Sequence, residues 1–238
     1  MRVGIIAALP GELKPLIRGW DRQRSGVKGL SVWTVTREGD KLIAVCGGMG
    51  AAAALRSFAA AESFGSLDMV LSVGWAGALD SEMRTGQCYI PSEVIDVQTG
   101  ERFQLTGGNR KQCLVTTPDV ANTKEKRRLW QSYGAVLVDM EAATIARQAQ
   151  MRRIPFCCFK AVSDGPDAVL PDLNAFINKQ GHLQLLPFLG HVMFRPKFWK
   201  PLIKLGRSSS LAANAIASKV QKFLVEKNVD RANRTGAV

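Results

Sequence analysis

Apolar residues fall in short, nearly unbroken runs separated by stretches of helical spacing. Residues 3–9, 68–73 and 156–162 are such runs, closed by Pro10-Gly11, Gly74 and Ser163-Asp164-Gly165, which is the pattern of strands buried on both faces. Residues 30–37 and 41–46 predict a hairpin joined through Glu38-Gly39-Asp40, and residues 87–96 and 136–138 two further strands. The spacing predicts helices over residues 51–64, 124–133, 140–152 and 209–226, the last with apolar Leu211, Ala215, Ile216, Val220, Phe223 and Leu224. Residues 116–123 read as a polar loop. Strands alternating with helices predict an α/β fold: a single domain with a central mixed, largely parallel sheet flanked by helices. Residues 1–170 form the expected core, residues 171–228 a basic, aromatic and helical region packed on it, and residues 229–238 a disordered tail.

In sheets of this kind ligands gather at the carboxyl ends of strands. Three strand ends carry polar residues that are able to converge there: Glu12, Met140-Glu141 and Ser163-Asp164. A glycine-rich turn, Gly47-Gly48-Met49-Gly50, precedes the Ala-rich helix and offers backbone N–H groups to an anion.

Composition narrows the chemistry. With 238 residues and 46% hydrophobic content the chain buries one sizeable core. Five cysteines without a C-x-x-C pair and two histidines argue against a disulfide framework and against zinc. No metal or organic cofactor is expected. Adjacent Cys157 and Cys158 sit in an apolar run, as packing residues of a reducing compartment do. The N-terminal apolar stretch runs into Pro10, Glu12 and Lys14 without a cleavage pattern, so it reads as a strand rather than a signal peptide. The longest uncharged stretch near the C-terminus, residues 180–194, contains Pro187 and is too short to span a bilayer, which needs about 20 residues. A cytoplasmic location is the expectation.

Charge is unevenly spread. Of a net charge of +12, eight charges arise from residues 182–238, where ten Lys/Arg face two acids. Such asymmetry points to an anionic partner: membrane, nucleic acid or phosphate-bearing ligand. No RNA-recognition aromatic pair, zinc spacing or helix-turn-helix pattern supports nucleic acid.

Four motifs resemble the nucleoside phosphorylase and nucleosidase superfamily, which includes purine nucleoside phosphorylases and methylthioadenosine/S-adenosylhomocysteine nucleosidases. They are G-I-I-A-A-L-P-G-E (residues 4–12), G-W-A-G-A-L (74–79), V-D-M-E-A-A (138–143) and I-P-F-C-C-F-K-A-V-S-D (154–164). The resemblance implies cleavage of the N-glycosidic bond of a purine nucleoside. It makes Asp164 the acid that protonates the purine, with Ser163 supporting it, and Glu141 the holder of the ribose 2′- and 3′-hydroxyls, with Met140 against the sugar. Gly74, Trp75, Ala76 and Gly77 become the turn that floors the pocket, and Glu12 the group that positions an attacking water. That division suits the chemistry, which needs a proton at the leaving base and stabilisation of a cationic sugar. Taken singly, Glu141 is also an ordinary acid at a helix N-terminus and Asp164 an ordinary turn residue.

Three departures reshape the implied pocket. Trp75 stands where nucleosidases carry a small hydroxyl residue, Lys160 replaces an arginine four residues before the acid, and V-T-T-P-D-V (115–120) lacks the aromatic residue that stacks on the purine. Two nucleophiles are open. Water suits Glu12. Phosphate, the favoured one and then a co-substrate, has candidate donors in Gly11, Lys14, Gly48, Gly50, Arg56 and Lys160. The lean to phosphate comes from P-D-L-N-A-F-I-N-K-Q-G-H-L (171–183) and F-R-P-K-F-W-K-P-L-I-K-L (194–205), which resemble phosphorylases of hopanoid biosynthesis that remove adenine from an adenosylated hopane lipid. Lys and Arg interleaved with Phe and Trp over residues 194–205 also suit an anionic membrane surface, so a peripheral position at the inner membrane face is expected. The resemblance further implies a homo-oligomer. Hydrolytic nucleosidase and inactive nucleoside-binding protein stand as alternatives.

Overall fold

The computed structural model describes residues 1–235 apart from Lys179 and Phe194, with side chains described except at Arg110, Leu185, Lys197 and residues 231–235. The chain opens with strand β1 (Arg2–Ala7) and the single turn α1 (Pro10–Leu13), followed by β2 (Asp21–Gln23), β3 (Ser31–Arg37) and β4 (Asp40–Cys46). The β3–β4 hairpin forms where expected. Arg37 pairs with Asp40, and the two loop residues both have positive φ, 50° at Glu38 and 79° at Gly39. That is the turn whose twist matches a two-residue hairpin.

Helix α2 (Ala51–Glu62) leads to the long β5 (Met69–Ala78), then β6 (Cys88–Tyr89), β7 (Pro91–Asp96), β8 (Arg102–Gln104) and β9 (Asn109–Thr116). Next come α3 (Thr123–Tyr133), β10 (Leu137–Asp139), α4 (Ala142–Met151) and β11 (Phe156–Asp164). The strands form one mixed sheet in the order β2-β3-β4-β1-β5-β10-β9-β7-β8, with β11 on β5 and β6 on β11. Strands β1/β4, β1/β5, β5/β11, β9/β10 and β7/β9 are parallel.

Both faces of the sheet are buried. Val3, Ile5 and Ala7 of β1 point to one apolar layer and Ile6 to the other, where Phe58 and Ala61 of α2 and Ile145 and Ala149 of α4 lie. This explains the unbroken apolar runs: neither face of a central strand meets water. Sequence patterning missed β2, β8 and β9. The outer half of β9, Asn109-Arg110-Lys111-Gln112, is polar in sequence, and among the described side chains of the strand the buried ones are Leu114, Val115 and Thr116. The expected strand over residues 87–96 is divided at Ile90, because Pro91 has no N–H to continue a ladder.

The C-terminal region holds α5 (Leu185–Met193) and α6 (Trp199–Thr235). Helix α6 begins ten residues earlier than the spacing predicted and runs past residue 229, where loss of order was expected, as far as Thr235; residues 236–238 lie outside the described residues. Pro201 and Pro187 are each the third residue of their helix, where the N–H has no intrahelical acceptor to lose. Ala212, Ile216, Ala217 and Val220 of α6 complete the apolar layer beside β1, β5 and β11, and Phe223 meets Phe159 edge-on at 5.3 Å. Among the described residues no helix is long and apolar enough to cross a membrane.

Candidate active site

Strand β5 divides the sheet and thereby makes the site. One of its edges is held by β11 over Val70–Gly77. The other pairs with β1 only as far as Ser72 and with β10 only at Gly77 and Ala78. Between those two pairings the Trp75 N–H has no strand partner, and it donates to Oε1 of Glu12 at 2.8 Å. Oε2 of Glu12 accepts the N–H groups of Ala8 (2.9 Å) and Leu9 (2.8 Å). Gly74 permits this: a Cβ there would lie 2.8 Å from Glu12 Oε1. Gly11 serves the neighbouring contact, since a Cβ on it would lie 3.0 Å from the Trp75 ring.

A cavity of about 260 Å3 opens at this break. Glu12, Trp75, Ala76, Gly77, Met140, Glu141, Ser163 and Asp164 all line it, so the structure brings together the residues expected to form the substrate site; Gly74 lies just beneath, against Glu12. Asp164 closes β11 opposite Gly77, two residues from the Trp75 amide that holds Glu12. Ser163 Oγ donates to Asp164 Oδ1 at 2.6 Å. Glu141 stands at the N-cap position of α4 without capping it through its side chain, and its Oε1 instead accepts the Gly50 N–H at 2.7 Å. The Trp75 indole N–H is buried without a hydrogen-bond partner among the described residues.

Burial governs the charges here. It pushes the Glu12 carboxyl above the usual carboxylate range despite three backbone donors and the Lys160 ammonium. Burial, reinforced by the Asp139 carboxylate, raises Glu141 to about 8, against the opposing effect of Lys160 and the Gly50 N–H. Glu141 therefore holds a proton at neutral pH and is able to donate as well as accept a hydrogen bond. For Lys160, burial works to lower the ammonium's value, but Asp139 beside it wins and the net shift is upward. Lys160 Nζ lies 2.8 Å from Asp139 Oδ2, and the two are 2% and 0% exposed. Asp139 also accepts from Thr116 Oγ1 (2.6 Å) and the Ala142 N–H (3.0 Å), so both of its oxygens are engaged.

The candidate phosphate donors do not come together as a group. Gly48 donates to the Ala8 carbonyl, Gly50 to Glu141, and Lys160 to Asp139. Arg56 donates to the carbonyls of Gly47 and Gln180, and Lys14 and Gly11 are exposed and outside the cavity lining.

Two participants escaped sequence reasoning. Lys126 of α3 lines the cavity and is ion-paired with Asp164 Oδ2. Its signal was present: residues 126, 129 and 133 share one helix face, and Leu129 and Tyr133 mark that face as inward. The second is the C-terminal region, whose Leu170, Leu173, Leu183, Phe188, Leu202 and Leu205 form an apolar wall of the cavity. Phe188 supplies an aromatic ring to a site whose 115–120 segment has none.

A family model described as the phosphorylase superfamily matches residues 2–121 and 111–180. Among solved structures, the chain is similar to the Helicobacter pylori 5′-methylthioadenosine/S-adenosyl homocysteine nucleosidase in complex with a substituted pyrrolidine ligand, at 15% identity and a TM-score of 0.73, over 95% of this chain and 98% of that one. Futalosine hydrolase of Helicobacter pylori matches at 14% identity and TM-score 0.73 over the same shares. The Arabidopsis thaliana 5′-methylthioadenosine nucleosidase matches at 16% identity and TM-score 0.72, over 94% of each chain. At these identities the likeness is one of fold.

Proposed function

The chain belongs to the phosphorylase superfamily, and from that premise we propose that it cleaves the N-glycosidic bond of an adenosine-type nucleoside with water as nucleophile. The observation that carries this reading is the Glu12 carboxyl, buried in the cavity and fixed by three backbone N–H groups within reach of the same strand segment that positions Asp164. Glu12 takes the proton of the attacking water. Burial raises its affinity for protons and so strengthens it as a base. Glu141 holds the ribose hydroxyls, Met140 packs against the sugar, and Asp164 with Ser163 engages the purine edge.

Phosphate is the second reading. The 171–183 and 194–205 motifs favour it, whereas the hydrogen bonds that already occupy Gly48, Gly50 and Lys160 favour water. The apolar wall of Leu170, Leu173, Leu183, Phe188, Leu202 and Leu205 supports a nucleoside with a bulky apolar 5′ group, of which the adenosylated hopanoid is an example. Such a substrate resides in a bilayer. Exposed Leu186, Leu189, Met193, Trp199 and Ile203 beside Arg195, Lys200 and Lys204 support work at an anionic inner membrane face.

Incubation with adenosine-type nucleosides carrying small or bulky apolar 5′ groups, with and without phosphate, tests the proposal. Free adenine with the free 5-substituted ribose, independent of phosphate, is expected. The 5-substituted ribose-1-phosphate as the product moves the assignment to the phosphorolytic reading. No base release from any nucleoside overturns both.

A further inference from the structure

Helix α3 carries Lys124, Lys126, Arg127 and Arg128, and of these Lys126 alone is buried, at 2% exposure. An ammonium in such a place costs several kcal/mol unless it is paired and hydrogen-bonded. Lys126 is both: Nζ donates to Asp164 Oδ2 and to the Gly165 carbonyl at 2.7 Å, leaving its third N–H without a protein acceptor among the described residues. The fold makes room for it at Gly77, where a Cβ would lie 3.0 Å from Lys126 Cε and 3.3 Å from Nζ. The lysine is therefore built into the cavity lining at the one strand position that also faces Asp164.

This arrangement changes what Asp164 is able to do by itself. Donors engage both its oxygens, the Ser163 hydroxyl at Oδ1 and the Lys126 ammonium at Oδ2. With a donor directed at each oxygen, Asp164 is placed to accept hydrogen bonds rather than to offer one to the cavity. A departing purine, however, must gain a proton as the electron pair of the C1′–N bond moves onto the base.

We infer that Lys126 supplies this proton, acting through Asp164 as one acid. The inference rests on the nucleoside-cleaving reading above. As the C1′–N9 bond breaks and its electron pair enters the purine, a proton of Lys126 Nζ moves to Asp164 Oδ2 and on to N7, so that Asp164 ends the step as the carboxylate it began. Water adds to C1′ and loses its proton to Glu12. At the end Lys126 is a neutral amine and Glu12 a neutral acid. One proton returned from Glu12 to Lys126 through solvent, once the products leave, restores the start.

Lys126→Met and Lys126→Arg test it together. Arginine keeps the positive charge and the hydrogen bonds but does not give up a proton in proteins. If Lys126 only held Asp164 in place, Lys126→Arg would restore the rate. The inference expects both variants to lose about a hundredfold or more in kcat on the adenine nucleoside, with KM within a few-fold of wild type. A 4-nitrophenyl riboside with the same 5′ group departs as a stable phenolate without protonation. Both variants should cleave it within about threefold of the wild-type rate, which also shows that they are folded and bind the sugar. Wild-type kcat on the adenine nucleoside in either variant overturns the role of Lys126 alone. So does an equal loss on both substrates. A wild-type protein that releases no base at all removes the functional reading, and this inference with it.

Discussion

Oε1 of Glu12 accepts the Trp75 amide at 2.8 Å, in the gap that β1 and β10 leave on one edge of β5. The pairing makes a carboxylate the substitute for a missing strand. All three N–H groups around it must find an acceptor, because buried backbone donors left unpaired cost about 1–3 kcal/mol each.

Glu12→Gln turns one of those acceptors into an NH2 group that faces a backbone donor, and it removes the proton acceptor. Base release should fall by about a hundredfold or more, the scale of general-base catalysis. Gly74→Ala should give a comparable loss while leaving Glu12 in the sequence, since its Cβ would sit 2.8 Å from Oε1 and displace it. Steady-state rates on the preferred nucleoside check both. A fully active Gly74→Ala enzyme would show that the position of the carboxyl is unimportant.

Asp164→Asn keeps the size and the Ser163 contact but breaks the ion pair with Lys126. It should reduce base release by at least about a hundredfold. Near-wild-type turnover in a folded variant contradicts the placement of the purine at this end of the cavity.

Glu141→Gln should weaken the use of ribonucleosides more than of 2′-deoxyribonucleosides, because the lost partner holds the sugar hydroxyls. It should also change the pH dependence of stability. Below 4.5 the Glu141 carboxyl is protonated in both the folded and the unfolded chain. As pH rises towards 8 the unfolded chain ionises while the folded one keeps its proton, so wild-type stability falls across that window. The glutamine variant lacks this fall. Its melting temperature should match wild type near pH 4.5 and exceed it near pH 8 by several degrees, about 2–4 °C for each kcal/mol in a domain of this size. A constant offset across the range would contradict the burial of a titrating carboxyl.

Lys160 and Asp139 form a buried pair in which removal of one partner strands the other. Lys160→Met should destabilise the fold by about 3–5 kcal/mol, and adding Asp139→Asn should recover part of that loss. Denaturant unfolding of the single and double variants measures the coupling. Additive losses would mean that the two side chains stabilise the fold separately.

The carboxylates of the site were legible in the sequence because each ends or closely follows an apolar strand, where local pattern and function coincide. Asp164 is the last residue of β11, Glu141 follows β10 by two residues, and Glu12 sits in the turn α1 that follows β1. Lys126 and Phe188 were not legible, for a physical reason. Their roles depend on which face of a helix meets the sheet, and that is fixed by packing across the chain rather than by neighbouring residues. In α3 Leu129 and Tyr133 mark the inward face, but nothing local shows that this face meets Asp164, and in α5 the apolar residues on both faces hide which side walls the cavity. The same limit explains the phosphate candidates: a glycine-rich turn announces free N–H groups, but only the fold shows that Ala8 and Glu141 accept them.

Helices α5 and α6 are apolar on two sides. Phe188, Leu202 and Leu205 wall the cavity, while Leu186, Leu189, Met193, Trp199 and Ile203 are exposed, at 83%, 58%, 58%, 50% and 58%. Phe194, which opens the basic-aromatic stretch, lies outside the described residues. Exposed apolar side chains in such number are costly in water and are the usual mark of a partner surface. Arg195, Lys200 and Lys204 are exposed in the same segment, so the partner expected is an anionic bilayer, each basic residue near its surface contributing on the order of 1 kcal/mol. Replacing Lys200 and Lys204 with Glu should therefore weaken binding to vesicles containing phosphatidylglycerol by at least tenfold. Cleavage of a water-soluble nucleoside should fall far less than vesicle binding, because neither side chain lines the catalytic cavity itself, although both line the neighbouring pocket that also reaches Ser163 and Asp164. Replacing Leu186 and Ile203 with Ser should weaken binding at both low and high salt, whereas the charge reversal should matter mainly at low salt, since exposed charges are screened within about 8 Å at physiological ionic strength. Vesicle sedimentation across a salt series separates the two contributions. If the wild-type protein stays in the supernatant with anionic vesicles at low salt, the exposed face belongs to a protein partner or to a second copy of the chain, and a bilayer-resident substrate loses its physical support.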